Sequence, residues 1–136
     1  MAPIEVVLAA VRCADQLCLV RRSAAVRTSI GRWGVVTGYL EADTDPLAQA
    51  WTELAEELGL EPPTLSLVRA LPPVSLTSGA SGKAFLVYPF LFESISTEVT
   101  LNWEHDAVTW AAPSRLGQAD CVGWQVTERT TLSGGQ

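Results

Sequence analysis

One segment of this 136-residue chain has its secondary structure pinned at both ends. Asp45 is a good helix N-cap, because its short side chain can accept a bond from a first-turn N–H, and Pro46 suits the first helical position. Leu47 to Leu58 follow with strong helix formers. Gly59 is a natural stop, and Pro62-Pro63 forbids continuation. At 100° per residue, Leu47, Ala50, Trp51, Leu54 and Leu58 share a face that predicts packing on a sheet. Glu53, Glu56 and Glu57 stand at i, i+3 and i+4 on another face. Like charges at that spacing repel by a few tenths of a kcal/mol per pair, roughly. They also occupy the last two turns, where the helix dipole disfavours anions. A hard divalent cation, Mg²⁺ or Mn²⁺, would compensate them, since such ions prefer carboxylate and water oxygens. A solvated acidic helix face is the alternative, and the helix alone leaves both open.

The rest of the chain reads as strands around that helix. Ile4–Cys13 is rich in Val and Ala, and reads as a buried strand. Ala14-Asp15-Gln16 is a turn, and Leu17–Arg21 a returning strand, so the two form a hairpin. Ser23–Gly31 reads as a loop and Trp33–Thr37 as a short strand. Beyond the helix, Leu65–Leu71 and Ala84–Glu93 read as strands, with a Ser/Gly/Thr-rich loop over Ser75–Gly82 between them. Val99–Leu101 and Ala107–Ala111 are candidate short strands, and Pro113–Gly117 a candidate short helix. Residues 1–126 form one domain and the polar residues 127–136 a tail or linker. This mixture gives α/β or α+β.

Composition narrows the partners. Fifteen acids against nine bases give a net charge of −6, which argues against a nucleic acid polymer. The charge is lopsided: five arginines lie between Arg12 and Arg32, and seven acids between Glu41 and Glu61. No run reaches the roughly 18 apolar residues of a membrane span, and the apolar N-terminus lacks a basic region. The expectation is a soluble, cytoplasmic protein. Three cysteines and one histidine, with no CxxC, argue against zinc. Cys13 and Cys18 flank the hairpin turn as two thiols or a disulfide.

The surroundings of the helix decide between its two readings. Gly38, Glu53, Leu54, Glu56, Glu57, Gly59 and Leu60 fall in the spacing G-x14-E-U-x-E-E-x-G-U, with U aliphatic. This resembles the signature of the Nudix hydrolase family, G-x5-E-x7-R-E-U-x-E-E-x-G-U. Trp33-Gly34-Val35-Val36-Thr37-Gly38-Tyr39-Leu40-Glu41 looks like the family's W-x-x-x-G-G-x-x-E loop, with Thr37 for the first glycine. Glu104-His105-Asp106-Ala107-Val108-Thr109-Trp110 is similar to the E-H-x-x-x-x-W segment of many members. The resemblance implies an α/β/α sandwich with a central mixed sheet. It also implies metal-activated hydrolysis of a nucleoside diphosphate linked to a moiety X. It assigns Glu56 and Glu57 as main metal ligands, Glu53 as ligand or base, and Glu104 as further ligand or base. The Gly38 carbonyl would complete the metal set.

Arg21, Arg32, Trp33, Tyr88 and His105 are candidate substrate contacts for a small nucleotide. Arg22 and Arg27 belong to the same arginine run, where a diphosphate would need cations. The pattern departs from the family twice. Thr44 stands for the first box glutamate and Thr52 for the box arginine, two residues that pair with each other in the family. The arginine also helps orient the next glutamate. Loss of both keeps the fold and every proposed ligand, but loosens Glu53. A catalytically weak or inactive ligand-binding or regulatory module is therefore the alternative function. The segments Gly31–Glu41, Tyr88–Phe92 and Asn102–His105 also resemble Nudix domains fused to translation initiation factor 2B-like proteins, a resemblance that would make the chain part of a longer fusion. Trp51 and Trp124 are assigned to packing or a subunit contact, and five tryptophans leave apolar surface that could serve a homodimer.

Overall fold

In the computed structural model, residues 2–26, 29–77 and 82–117 are described. Arg27, Cys121, Trp124, the middle of the Ser75–Gly82 loop and the 127–136 tail lie outside them.

The chain forms β1 (Ile4–Cys13), β2 (Gln16–Arg22), β3 (Trp33–Gly34), β4 (Val36–Tyr39), α1 (Pro46–Leu58), β5 (Leu65–Ala70), β6 (Val74–Thr77), β7 (Ala84–Ser94) and β8 (His105–Ala111). A 3-10 turn, Pro113–Gly117, follows. All eight strands join one mixed sheet whose main order is β3-β2-β1-β7-β5. β1 sits at its centre. One edge of β1 pairs antiparallel with β2 at Arg12–Cys13 and with β4 along Val6–Ala9; the other pairs parallel with β7, from Ile4↔Phe85 to Arg12↔Glu93. β5 and β6 pair antiparallel with β7, and β8 with β2.

Strand alternation sorts the apolar residues into two layers. Val7, Ala9, Val11, Cys18, Val20, Val36, Phe90 and Phe92 face α1, which contributes Ala50, Leu54 and Leu58. Leu8, Ala10, Leu17, Leu19, Val35, Val87 and Leu91 form the second layer, closed among the described residues by Leu116 of the 3-10 turn. Leu47 and Trp51 complete the apolar face of α1, with the Trp51 ring edge-on to Phe92 at 4.8 Å.

The helix ends are as expected. The Asp45 carboxylate accepts from the Ala48 N–H at 3.2 Å. Gly59 takes φ +68° and donates to Ala55, while Leu60 donates to Leu54, a closure that favours glycine at the left-handed position.

Three expectations change. The strand expected over Trp33–Thr37 breaks at Val35 into β3 on β2 and β4 on β1. Val74–Thr77, taken partly as loop, is a strand because β7 is long enough to pair with both β5 and β6. Val99–Leu101 is not a strand. Its apolar side chains pack under α1, while the Thr100 N–H caps the helix by donating to the Leu58 carbonyl at 2.9 Å. Cys13 and Cys18 are free thiols, and burial pushes the Cys18 thiol up to about 12.

Candidate metal and catalytic site

The three glutamates of α1 are not equivalent, and the helical wheel explains why. Glu57 is seven residues after Ala50, so it lies only about 20° from Ala50, at the flank of the apolar stripe. Glu53 stands about 60° away and Glu56 about 120°. Exposure follows that order: Glu57 is 1% exposed, Glu53 half-buried and Glu56 exposed.

Glu57 carries the most perturbed charge. Among the described residues, neither of its carboxyl oxygens meets a hydrogen-bond donor. Burial pushes its pKa from 4.5 up to about 10, helped by the neighbouring carboxyls of Glu53 and Glu104 and opposed by Arg22. Glu104 reaches the cluster from the loop before β8. Its pKa is also raised, chiefly by burial and then by Glu53, while Asn102 and Arg22 oppose the rise. Glu53, Glu57 and Glu104 therefore converge from two elements on one region. The pKa of Glu104 also responds to Glu56.

A fold of the chain brings Glu104 there. The backbone pairing of β2 with β8 slips between Arg21 and Arg22, so that Arg22 lies opposite His105. Such a bulge re-aims side chains next to a site. Asp106, at the slip, turns to accept from Arg21 Nε at 2.7 Å. His105 turns inward, 7% exposed, with Nδ1 3.5 Å from Glu57 Oε1. That approach is too long for a hydrogen bond. It is not an ion pair at neutral pH either, since burial and then Arg22 pull the imidazole down to about 4. Ser23 straps the loop in place. Its N–H donates to the Glu104 carbonyl at 2.9 Å and its hydroxyl to the Trp103 carbonyl at 2.6 Å. Asn102 Oδ1 accepts from the Glu104 N–H at 3.1 Å.

Gly38 forms the wall beside Glu53. A Cβ added there would fall on the Glu53 side chain, 2.8 Å from its Cγ and closer still to its carboxyl. Behind Glu53 lies Gln49, 3% exposed, whose Nε2 donates to Glu53 Oε2 at 3.1 Å. Thr52 is exposed and Thr44 half-buried. Their hydroxyls donate to the Ala48 carbonyl at 3.1 Å and the Ala42 carbonyl at 3.4 Å, away from Glu53.

The donor set fits a hard divalent cation: a buried carboxylate without a donor, surrounded by others that repel it. Among the described residues, no three Asp, Glu, His or Cys side chains are already gathered as ligands of one ion. Of the candidate substrate contacts, Arg21 stacks over Trp33 at 5.7 Å and is held by Asp106. Arg32 is exposed, and its carbonyl accepts from the Arg22 N–H at 3.0 Å. Tyr88 is occupied, donating its hydroxyl to Glu5 at 2.6 Å. His105 lies on the inner side of the carboxylates. Two residues outside the expected site set belong beside it. Arg22 was visible only as one of several arginines, and Gln49 only as a polar residue four before Glu53.

The NUDIX domain model matches residues 2–128. No curated protein sequence matches the chain. Similar solved structures include the MutT protein from Methanosarcina mazei Go1, with a TM-score of 0.80 and 22% identity over 98% of this chain and 97% of that one. The NUDIX domain of Shewanella oneidensis NrtR, complexed with ADP ribose, gives 0.77 and 14% over 100% and 90%. A C. elegans Ap4A hydrolase binary complex gives 0.72 and 17% over 96% of each. At these identities the likeness is one of fold.

Proposed function

The chain belongs to the Nudix family, and from that premise we propose that it is a Mg²⁺- or Mn²⁺-dependent hydrolase. Its substrate would be a nucleoside diphosphate linked to a second moiety, cleaved at the diphosphate. The observation that carries this reading is Glu57, a buried carboxylate with no donor and two carboxylate neighbours. Burying a charge in that way is costly without a counter-ion.

Glu56 and Glu57 would be the main ligands, with Glu53, Glu104 and the Gly38 carbonyl completing the set. A bound cation would supply charge neutralisation at the diphosphate and a more acidic water. The chain's own part is to hold the carboxylates at one place and to accept the water's proton. Glu53 and Glu104 are the candidates for that acceptor, since both stand on the solvent side of Glu57. Glu104's raised pKa suits a base. Arg22, whose charge reaches Glu57 and Glu104, and Arg21 and Arg32 beside it give a diphosphate cationic neighbours. Trp33, Tyr88 and His105 remain candidate substrate contacts.

The ADP ribose bound to one similar fold and the Ap4A hydrolase name of another set the classes to test. Nucleotide sugars, ADP-ribose, dinucleoside polyphosphates and nucleoside triphosphates should be offered with Mg²⁺ or Mn²⁺. Turnover on one of them, abolished in Glu56→Gln and Glu57→Gln, is the expected result. Unchanged turnover in those variants would remove the metal role.

A second reading, a ligand-binding module without catalysis, is favoured by Thr44 and Thr52, whose hydroxyls bond back to the chain. Nucleotide binding with no phosphate release over hours would select it. Such an enzyme would work in the cytoplasm, as a homodimer or within a longer fusion, with residues 1–126 as the working domain and 127–136 as a tail. A sizing column tests the dimer. Among the described residues no helix is long and apolar enough to cross a membrane.

A further inference from the structure

We propose that Gln49 is the positioning residue for Glu53. The inference rests on the metal-site reading above and adds the device that fixes its first carboxylate. Gln49 sits one helical turn before Glu53, so i, i+4 geometry brings the two side chains together. Its side chain is bonded at both ends. Nε2 donates to Glu53 Oε2 at 3.1 Å, and Oε1 accepts from the Glu41 N–H at 3.2 Å. The amide cannot be turned over. That would set an oxygen against the Glu53 carboxylate and an NH₂ against the Glu41 N–H, two clashes of like partners.

The clamp ties α1 to the loop that follows β4, and it holds one carboxyl oxygen while Gly38 walls the side chain. A buried amide bonded at both ends is rigid, so Glu53 is held without a cation beside it. The neutral donor leaves the whole carboxylate charge available to a metal. It also explains how Thr52 is tolerated. That hydroxyl bonds to the Ala48 carbonyl and gives nothing to Glu53, and position 49 does the holding from within the helix.

The test is Mn²⁺ binding by calorimetry, with circular dichroism and thermal melting to follow the fold. Gln49→Leu and Gln49→Met keep most of the volume and remove the donor. Both should fold and bind Mn²⁺ roughly 10–100-fold more weakly than the unaltered protein, the usual cost of losing an outer-shell partner. Adding Thr52→Arg to Gln49→Leu offers Glu53 a new donor from the residue before it, and should restore most of the lost affinity. A folded variant that binds Mn²⁺ as well as the unaltered protein overturns the assignment, as does a loss that Thr52→Arg leaves in place. Failure of both single variants to fold makes Gln49 a scaffold residue and overturns it too. If the unaltered protein binds no Mn²⁺, the metal-site reading itself falls.

Discussion

Replacing Glu57 by glutamine should stabilise the metal-free protein and abolish its stabilisation by metal. The folded pKa of Glu57, about 10, lies above the ordinary 4.5. The protonated form is therefore the one the fold favours. Stability from this group is fully present below pH 4.5 and is lost as pH rises toward 10. At pH 7.5 an unfolded glutamate is ionised, and folding must add a proton about three pH units above its ordinary pKa. At about 1.4 kcal/mol per unit, that costs about 4 kcal/mol. Glutamine needs no proton, but its amide inherits a site without partners, at about 1–3 kcal/mol. The net gain for the metal-free variant is then roughly 1–3 kcal/mol, or about 3–9 °C in melting temperature for a chain of this size. Melts in EDTA at pH 5.5, 7.5 and 9 would read it. The unaltered protein should lose stability across that series, and the variant should stay nearly flat. Mn²⁺ at a hundred times its Kd should stabilise the unaltered protein by about 2.7 kcal/mol and the variant hardly at all. If His105 instead held Glu57 in a stabilising ion pair, the variant would melt lower in EDTA. That result, or an undiminished Mn²⁺ shift, would refute the reasoning.

Gly38→Ala should displace Glu53, because the new Cβ falls on its side chain. Overpacking of this kind costs about 1–3 kcal/mol, and Mn²⁺ affinity should fall as well; calorimetry and a melt that both match the unaltered protein would discount the close approach. Ser23→Ala removes the hydroxyl that donates to the Trp103 carbonyl and accepts from the Ala25 N–H. A loss of about 1–3 kcal/mol is expected, with faster amide exchange confined first to residues 102–105.

What could be read from the sequence was whatever is fixed locally. The helix from Pro46 to Leu58 is bounded by its own cap, proline and glycine, so its position needed no partner. The acidic face was visible for the same reason, although treating its three glutamates alike missed that Glu57 borders the apolar stripe. Features that depend on distant chain were not legible. Val99–Leu101 has strand-like residues, yet it joins no strand ladder, and the helix end takes the Thr100 N–H instead. Val74–Thr77 looks like loop until the length of β7 is known. Gln49 was hidden because a polar residue outside the apolar stripe is normally solvated. It is buried, and its partner is the Glu41 N–H, eight residues earlier in the chain.

The parallel pairing of β1 with β7 carries a consequence for how the molecule is made. Ile4 meets Phe85 and Arg12 meets Glu93, each pair 81 residues apart. During synthesis the hairpin and α1 emerge first, while the other edge of β1 waits with its backbone donors and acceptors open. Nothing can close it until residue 94 has left the ribosome. The central strand of the finished protein is thus an exposed edge for most of translation, running through Val6, Val7, Leu8, Ala9, Ala10 and Val11. Loop closure over that distance slows folding. Fragments truncated before β7 should therefore collect in inclusion bodies, although they contain the complete helix and most of its glutamates' surroundings.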